Sequence, residues 1–588
     1  MVIRYCVRRA STVASNNTSK NKNGRIPKPK EKSHTGRPRY RRTEIVSEKL
    51  CNDIADRLRD TLPAPHTCDL IDINPSRGTW SRKLHDLLQP RRHVLVEPAL
   101  SSYSDHLTPL LNAKDSKYRH AVLLEDALHP DSGLLSKQVT SQVDDSNYAT
   151  NPNPSLLITA NLSGANLKMS NYAGTQSRKF FDDLYLSLWK IRSNIHRYGL
   201  VRLLVWIPDD EKDAYIPRTV SARRKQAVML EASYKISEVA GTSTHTKTTR
   251  LRRWPELDRE DAARVAAKEA AAGYRTPVSR RDTTPLPHLL SVEPVPKEIR
   301  KVAFTTDAEW VPQFLELEHR LRKGDAAWFK KYAYVKYPPR GVLDTPDRRA
   351  WRELRRRAKT AYTTHMKAVG LINEERQLVS EWKKLLLNAS GSDKPLQPQD
   401  EERLKSHAES LNAQVKKLNR TNRSFAEKAI DDCRAYDMDP PVMAWNQREA
   451  EPLIVHDGEF EPHELPMALL DVVPRPEFLF RIDTHDRMVC FGHVVRQLYP
   501  YFAKSVAEGL KSLVHEGLED FAATVPGIHD PTRGGWYDLS AFRVRALPAD
   551  MFVEIALAYE RWPFRPSTES ILMLGADPQA TYSLGDDD

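Results

Sequence analysis

The chain has 588 residues, 40% of them hydrophobic, and carries 90 Lys and Arg against 78 Asp and Glu for a net charge of +12. That length predicts two or three domains with real cores, the basic excess points to a polyanionic partner, and 40 prolines predict much irregular chain. Five cysteines (Cys6, Cys51, Cys68, Cys433, Cys490) with no CxxC pair or Cys/His cluster exclude a disulfide framework and a zinc site, and no apolar run approaches the roughly 18 residues of a membrane span.

Residues 1–30 contain no acid but carry Arg4, Arg8, Arg9, Lys20, Lys22, Arg25, Lys28 and Lys30 among Ser, Thr and Asn. That composition predicts a mitochondrial transit peptide and hence a place in the mitochondrial matrix. The other reading is a basic arm on nucleic acid, a role that 31–45 keeps in either case.

From 46 to 245 the pattern predicts an α/β core. Strand Leu70–Ile73 runs into the turn Asn74–Gly78, helix Thr79–Leu88 follows, and strand His93–Val96 closes on Glu97. Strand, Gly-bearing turn, helix and a later acid form the nucleotide-binding half of a doubly wound sheet. Further apolar runs at Val122–Leu124, Leu156–Ala160 and Val201–Ile207 predict three more strands. The first ends in Glu125-Asp126 and the second in Asn161-Leu162-Ser163-Gly164. Tyr172–Tyr198 reads as one long amphipathic helix. Acids and Asn at successive strand ends favour a Rossmann-like methyltransferase core, with Asp72, Asn74, Gly78, Glu97, Asp126 and Asn161 as the candidate cofactor pocket.

Residues 246–448 form a predicted insertion. A proline-dense linker over Arg275–Pro296 stands among charged helices at Asp258–Gly273, Pro312–Lys323, Arg348–Lys384 and Glu401–Ala435. The run Arg348–Arg357 places Arg352, Arg355, Arg356 and Arg357 around Trp351. It reads either as a phosphate-binding helix with an aromatic anchor or as one solvated face of a long helix. Glu451–Val455 and Pro466–Val473, within 449–475, predict the last two strands, paired with each other. Residues 476–574 read as a helical domain, with helices at Asp486–Leu498, Ser505–Leu513, Leu539–Ala546 and Ala549–Tyr559. The tail 575–588 is acidic.

Several segments together resemble the rRNA adenine N6-dimethyltransferase superfamily, and within it the fungal mitochondrial transcription factors of the B type. They are Asp69–Leu84, Val94–Pro98, Leu156–Gly164, Gly199–Pro208, Ser221–Glu231 and Tyr559–Pro566. The resemblance spans roughly 45–245 and 450–575, and the insertion lies outside it. It implies a sheet domain and a C-terminal helical domain bounding a basic cleft for melted nucleic acid, with the mitochondrial RNA polymerase and promoter DNA as partners. Its active members bind S-adenosylmethionine and stack the target adenine on an aromatic residue in an Asn-aliphatic-Pro-aromatic motif. Here Ser163 and Gly164 stand in the last two places, and Asn74 and Ser76 replace glycines in the cofactor turn.

The expectation is therefore a protein without catalytic residues and without a required cofactor, S-adenosylmethionine being what a residual pocket would take. Two alternatives stay open: an rRNA adenine dimethyltransferase, and a non-catalytic mitoribosomal RNA-binding factor. Candidate nucleic-acid contacts are Arg352, Arg355, Arg356 and Arg357 with Arg561, Trp562, Phe564 and Arg565. No metal site and no membrane contact is expected.

Overall fold

The computed structural model describes residues 42–139, 141–142, 152–164, 167–169, 172–188, 194–243, 253–274, 276–282, 310–333, 335, 339, 341–342, 345–391, 396–514 and 516–575. The expected transit peptide, residues 31–41 of the basic arm and the acidic tail from Ala576 lie outside them, as do Cys6, His515 and most of the Arg275–Pro296 linker.

The protein is α/β, built on a mixed, mostly parallel eight-stranded sheet. Its strands are β1 (Asp69–Ile73), β2 (His93–Val96), β3 (Tyr118–Ala121), β4 (Leu156–Asn161), β5 (Arg202–Pro208), β6 (Tyr234–Gly241), β7 (Leu453–Ile454) and β8 (Met467–Pro474). They lie in the order β7-β6-β8-β5-β4-β1-β2-β3. Strands β3, β2, β1, β4 and β5 run parallel. Strand β8 is antiparallel to both of its neighbours, β5 and β6.

Covered on both faces, the central strands are near-continuous apolar runs, as parallel sheets require. Alternation sorts their side chains. Leu70, Leu157, Leu204 and Trp206 meet Leu50 and Ile54 of helix Glu48–Leu58 and Leu84 and Leu88 of helix Thr79–Leu88. Ile71, Val94, Ile158, Leu203 and Val205 point the other way, toward Phe181 and Leu184 of helix Gln176–Ser187.

Several expectations are corrected. The third strand is Tyr118–Ala121 rather than Val122–Leu124; as a sheet edge it tolerates Arg119 and His120, while Val122 and Leu123 are half exposed. The predicted helix Tyr172–Tyr198 is a short strand, Tyr172–Gly174, then helix Gln176–Ser187, which the Thr175 side chain caps. Glu401–Ala435 is two helices, Pro398–Lys416 and Arg420–Tyr436, the second started by the Asn419 cap. Leu539–Ala546 contains only a single turn of 3-10 helix at Val544–Ala546.

Strand β6 is missing from the sequence reading, and the two predicted last strands do not pair. Instead β6 lies between β7 and β8. Lys235, Ser237 and Glu238 disguise it, although Glu238 is buried against the Lys212 ammonium at 2.7 Å. The insertion thus leaves the sheet after β6 and returns to it at β7.

The expected cleft between the sheet and the C-terminal helices is bridged by the insertion. In helix Arg420–Tyr436, Asp432 accepts hydrogen bonds from Thr219 Oγ1 and from the Val220 amide at 2.8 Å. Its neighbour Asp431 pairs with Arg545 of the C-terminal region at 2.9 Å. One hydrophobic cluster runs from the sheet face through Leu371, Trp382 and Ile430 into Phe491, Phe521 and Phe552. Part of the supposed linker is clamped as well, with Arg280 buried between Asp53 and Glu459. The four described cysteines are buried and unpaired. Among the described residues no helix is long and apolar enough to cross a membrane.

Candidate functional site: a strapped pocket at the sheet's carboxyl edge

The turn after β1 is left-handed at three positions and carries one glycine. Asn74, Ser76 and Gly78 all have left-handed φ, at 61°, 57° and 74°. At Gly78 a side chain would be strained by the left-handed backbone, and its Cβ would sit 3.1 Å from Leu107 Cδ2. Asn enters this region readily and Ser less so; a left-handed residue costs roughly 1–2 kcal/mol. Asn74 offsets the cost by donating Nδ2–H to the Asn161 carbonyl at 3.0 Å.

Asp72, Asn74 and Asn161 line one cavity, together with Ser76, Trp80, Thr159 and Trp206. Asp72 is buried and accepts a short hydrogen bond from Ser81 Oγ. Burial pushes its carboxyl up to about 7, and nearby Glu97 acts in the same direction. Asp126 does not join them: it sits in the first turn of helix Leu124–Leu128 with its carboxylate exposed.

The chain's own residues 42–45 lie across this site. Arg42 Nη1 pairs with Glu97 at 2.5 Å, and Glu97 is fully buried. Thr43 takes the motif after β4: its carbonyl accepts from Asn161 Nδ2 at 2.9 Å, and its amide donates to Ser163 Oγ at 2.9 Å. The Asn161 Oδ1 accepts from the Ser163 amide and hydroxyl, so the whole side-chain amide is engaged. Ile45 closes the cavity wall. Glu44 and Ile45 pair as a strand with Glu461 and Phe460. Arg77 turns outward to Glu44 and Glu461 rather than into the pocket. The space left is about 10 Å³, room for about one water and not for a nucleoside. The group that the resemblance implies, S-adenosylmethionine, does not fit these residues as they stand: its volume is lacking and its ribose-binding carboxylate is taken.

Arg42 and Thr43, expected in a basic arm on nucleic acid, instead bind the pocket; their partners lie 55 to 120 residues away, so no local pattern shows it. The one local signal is that they lie within five residues of Ser47, the cap of helix Glu48–Leu58. At Gly164 a Cβ would meet only the amide end of the flexible Gln176 side chain, which would have to swing aside.

The candidate nucleic-acid residues divide. Trp351 is core, fully buried between Phe314, Trp328 and Phe329. Arg352 and Arg355 donate to the Val335 and Ala333 carbonyls at 2.9 and 3.0 Å. Arg356 pairs with Glu353, and Arg357 is exposed. In the C-terminal segment Trp562 packs edge-on against Phe521 at 5.3 Å, and Arg565 bonds the Glu560 carbonyl. Phe564 is 82% exposed and Arg561 is exposed. Of the histidines, His493 is buried and stacks on Tyr559. Among the described residues no three His, Cys, Asp or Glu side chains gather as a metal site.

No protein-family model matches the chain, and no curated protein matches it.

Proposed function

We propose that this protein is a mitochondrial transcription initiation factor, which binds DNA and assists the mitochondrial RNA polymerase in promoter recognition and opening. It does so on a methyltransferase-type sheet that has no transferase activity. Support for that sheet is the run β3-β2-β1-β4-β5 followed by a reversed β8 and a parallel β6. One observation supports the absence of activity: residues 42–45 hold Glu97 and Asn161, groups a methyl donor and a target adenine would need. No cofactor is required. With Gly164 in place of a ring, an extruded base finds no stacking face, which forfeits roughly 1–3 kcal/mol.

The net charge of +12 fits a nucleic-acid partner, and the basic, acid-free residues 1–30 fit a matrix location. The test is affinity capture from mitochondria followed by a promoter-opening assay. Polymerase in the eluate and melting that depends on this chain are the expected results. Recovery of small-subunit rRNA without polymerase, or adenine dimethylation restored by this chain alone, overturns the reading.

A further inference from the structure

Where the insertion meets the C-terminal helices there is a cavity of about 210 Å³, against about 10 Å³ left in the strapped pocket. Helix Pro398–Lys416 lines it with Ala408, Leu411, Asn412, Val415 and Lys416, which share one face of that helix. Helix Arg420–Tyr436 lines it with Glu427, Ile430 and Arg434. Only residues 417–419 join the two helices, so they run antiparallel and Lys416 and Arg434 stand at opposite ends. The C-terminal region closes the other side with Lys504, Glu508, Trp536, Tyr537 and Arg543. Leu411, Val415 and Ile430 are buried and give the cavity an apolar floor.

The two ends differ in chemistry. At the Arg434 end the lining is aromatic and acidic. The Arg434 guanidinium lies over the Trp536 ring at 4.3 Å and pairs with Glu375, and Tyr537 stacks on Trp382 at 5.0 Å. Burial, with Asp538, Glu409 and Glu375 nearby, pushes the Tyr537 hydroxyl up to about 12, so it stays neutral. At the other end the lining is basic. Glu427 holds Arg543 at 3.0 Å, and the Val544 amide bonds the Lys504 carbonyl, which brings Lys504 to the same place. Lys416 and Lys504 are exposed, and among the described residues no acid forms an ion pair with either. The remaining acid, Glu508, accepts hydrogen bonds from the Ser505 amide and hydroxyl at 3.2 and 3.0 Å. Two lysines against one carboxylate leave a cation in excess. The Asn412 side-chain amide, the Trp536 indole N–H and the Tyr537 hydroxyl make no hydrogen bond among the described residues.

We propose that this cavity binds a nucleoside monophosphate, with its base toward Trp536 and Tyr537 and its phosphate at the mouth, between Lys416 and Lys504. Phosphate takes up the excess cation in charge-assisted hydrogen bonds. A base is flat, and its edge supplies both donors and acceptors to the Asn412 amide and the Tyr537 hydroxyl. Its amino group suits the acidic end, which would repel a ligand entering with its anionic group inward. The cavity is smaller than the roughly 300–1,000 Å³ of pockets for drug-sized ligands, so the enclosed part admits one nucleoside while the phosphate stays at the exposed lysines. The site goes beyond the proposed function and does not depend on it.

The test is calorimetric titration of the full chain, without polymerase or DNA, with AMP, GMP, CMP and UMP. At least one is expected to bind at one site per chain. The matching nucleoside and inorganic phosphate should each bind at least about tenfold more weakly, since each forfeits one set of contacts. K416Q/K504Q should weaken the mononucleotide about tenfold or more and leave the nucleoside unchanged. K417Q, one residue along the helix and outside the lining, should change nothing. Hydrogen exchange of the wild-type chain should show ligand-dependent protection within 408–416, 427–434 and 536–543, a readout that needs no variant to fold. The proposal is overturned if none of the four binds, if benzoate binds as tightly as the mononucleotide, or if K416Q/K504Q binds like wild type. An equal loss in K417Q, or protection confined to the turn 74–78 of the strapped pocket, overturns it as well.

Discussion

The strapped pocket and the start of the long helix Pro346–Gly391 teach opposite lessons about local sequence. In the pocket, a legible motif leads to the expected backbone, but the chemistry it advertises is answered inside the chain: Glu97 by Arg42, Asn161 by Thr43 and Ser163. In the insertion, a run of arginines around a tryptophan looks like a binding face, yet Trp351 is the centre of a core. Two of the arginines secure the carbonyls of a preceding helix end. A motif constrains the backbone; what its side chains do depends on partners elsewhere in the chain.

The largest effect expected from breaking this contrast is at Trp351. Replacing a fully buried Trp by Ala costs about 3–5 kcal/mol. Because the small core is separate from the others, the loss should be local. Hydrogen exchange in W351A is expected to show lost amide protection across 310–360, with 69–97 unchanged. Equal loss of protection in both regions would mean that the two form one cooperative unit, and the contrast drawn above would fail.

Next in size is Asp72. Its carboxyl is held near 7 in the folded state against about 3.9 when unfolded. The folded protein therefore binds the extra proton between these values, and stability falls as pH rises from about 4 to about 7, then levels off. Asp72→Asn removes that slope. It is expected to be the more stable form above pH 7 by on the order of 4 kcal/mol, and to match wild type near pH 4. Urea unfolding at the two pH values decides; a wild type that gains on the variant as pH rises would sink the assignment.

Release of the strap follows. Arg42→Ala leaves the buried Glu97 carboxylate without its cation, at a cost of about 1–3 kcal/mol. It should expose the amides of Thr43–Val46 to exchange while the core stays protected. Methyl transfer should not appear, since Gly164 still lacks a ring. Unchanged protection at 43–46 would show that the strand pairing of Glu44 and Ile45 with Glu461 and Phe460 holds the strap without Arg42.

How much was legible follows the same division. Strands β1, β2, β4 and β5 stood out because both their faces are buried and their sequences are unbroken apolar runs. Strand β6 did not, since Glu238 is matched by a lysine, Lys212, 26 residues away, and such a pairing leaves no periodic trace. The exposed pair Val122 and Leu123 drew the third strand four residues too far, because apolarity was read as burial at a sheet edge. Asp72, Asn74 and Asn161, expected together from their places at or near strand ends, line one cavity; Glu97, expected with them, pairs with Arg42 beside it. Their occupation by Arg42 and Thr43 was invisible, because nothing local ties residue 43 to residue 161. At the C-terminus Trp562, expected as a nucleic-acid contact, packs on Phe521, while Phe564 stands outside.

The smallest expected effect is at Arg356. It is 77% exposed and its partner Glu353 is 63% exposed, with 2.8 Å between them. Such pairs contribute about 0–0.5 kcal/mol, because solvent screens the attraction and two long side chains lose freedom. Arg356→Ala should therefore leave thermal unfolding within error. It should also leave the salt dependence of nucleic-acid binding nearly unchanged, since Glu353 already neutralises this guanidinium. A clear drop in salt slope from Arg356→Ala would place a phosphate contact on the flank of the long helix. That outcome would restore the arginine run to the role its sequence first suggested.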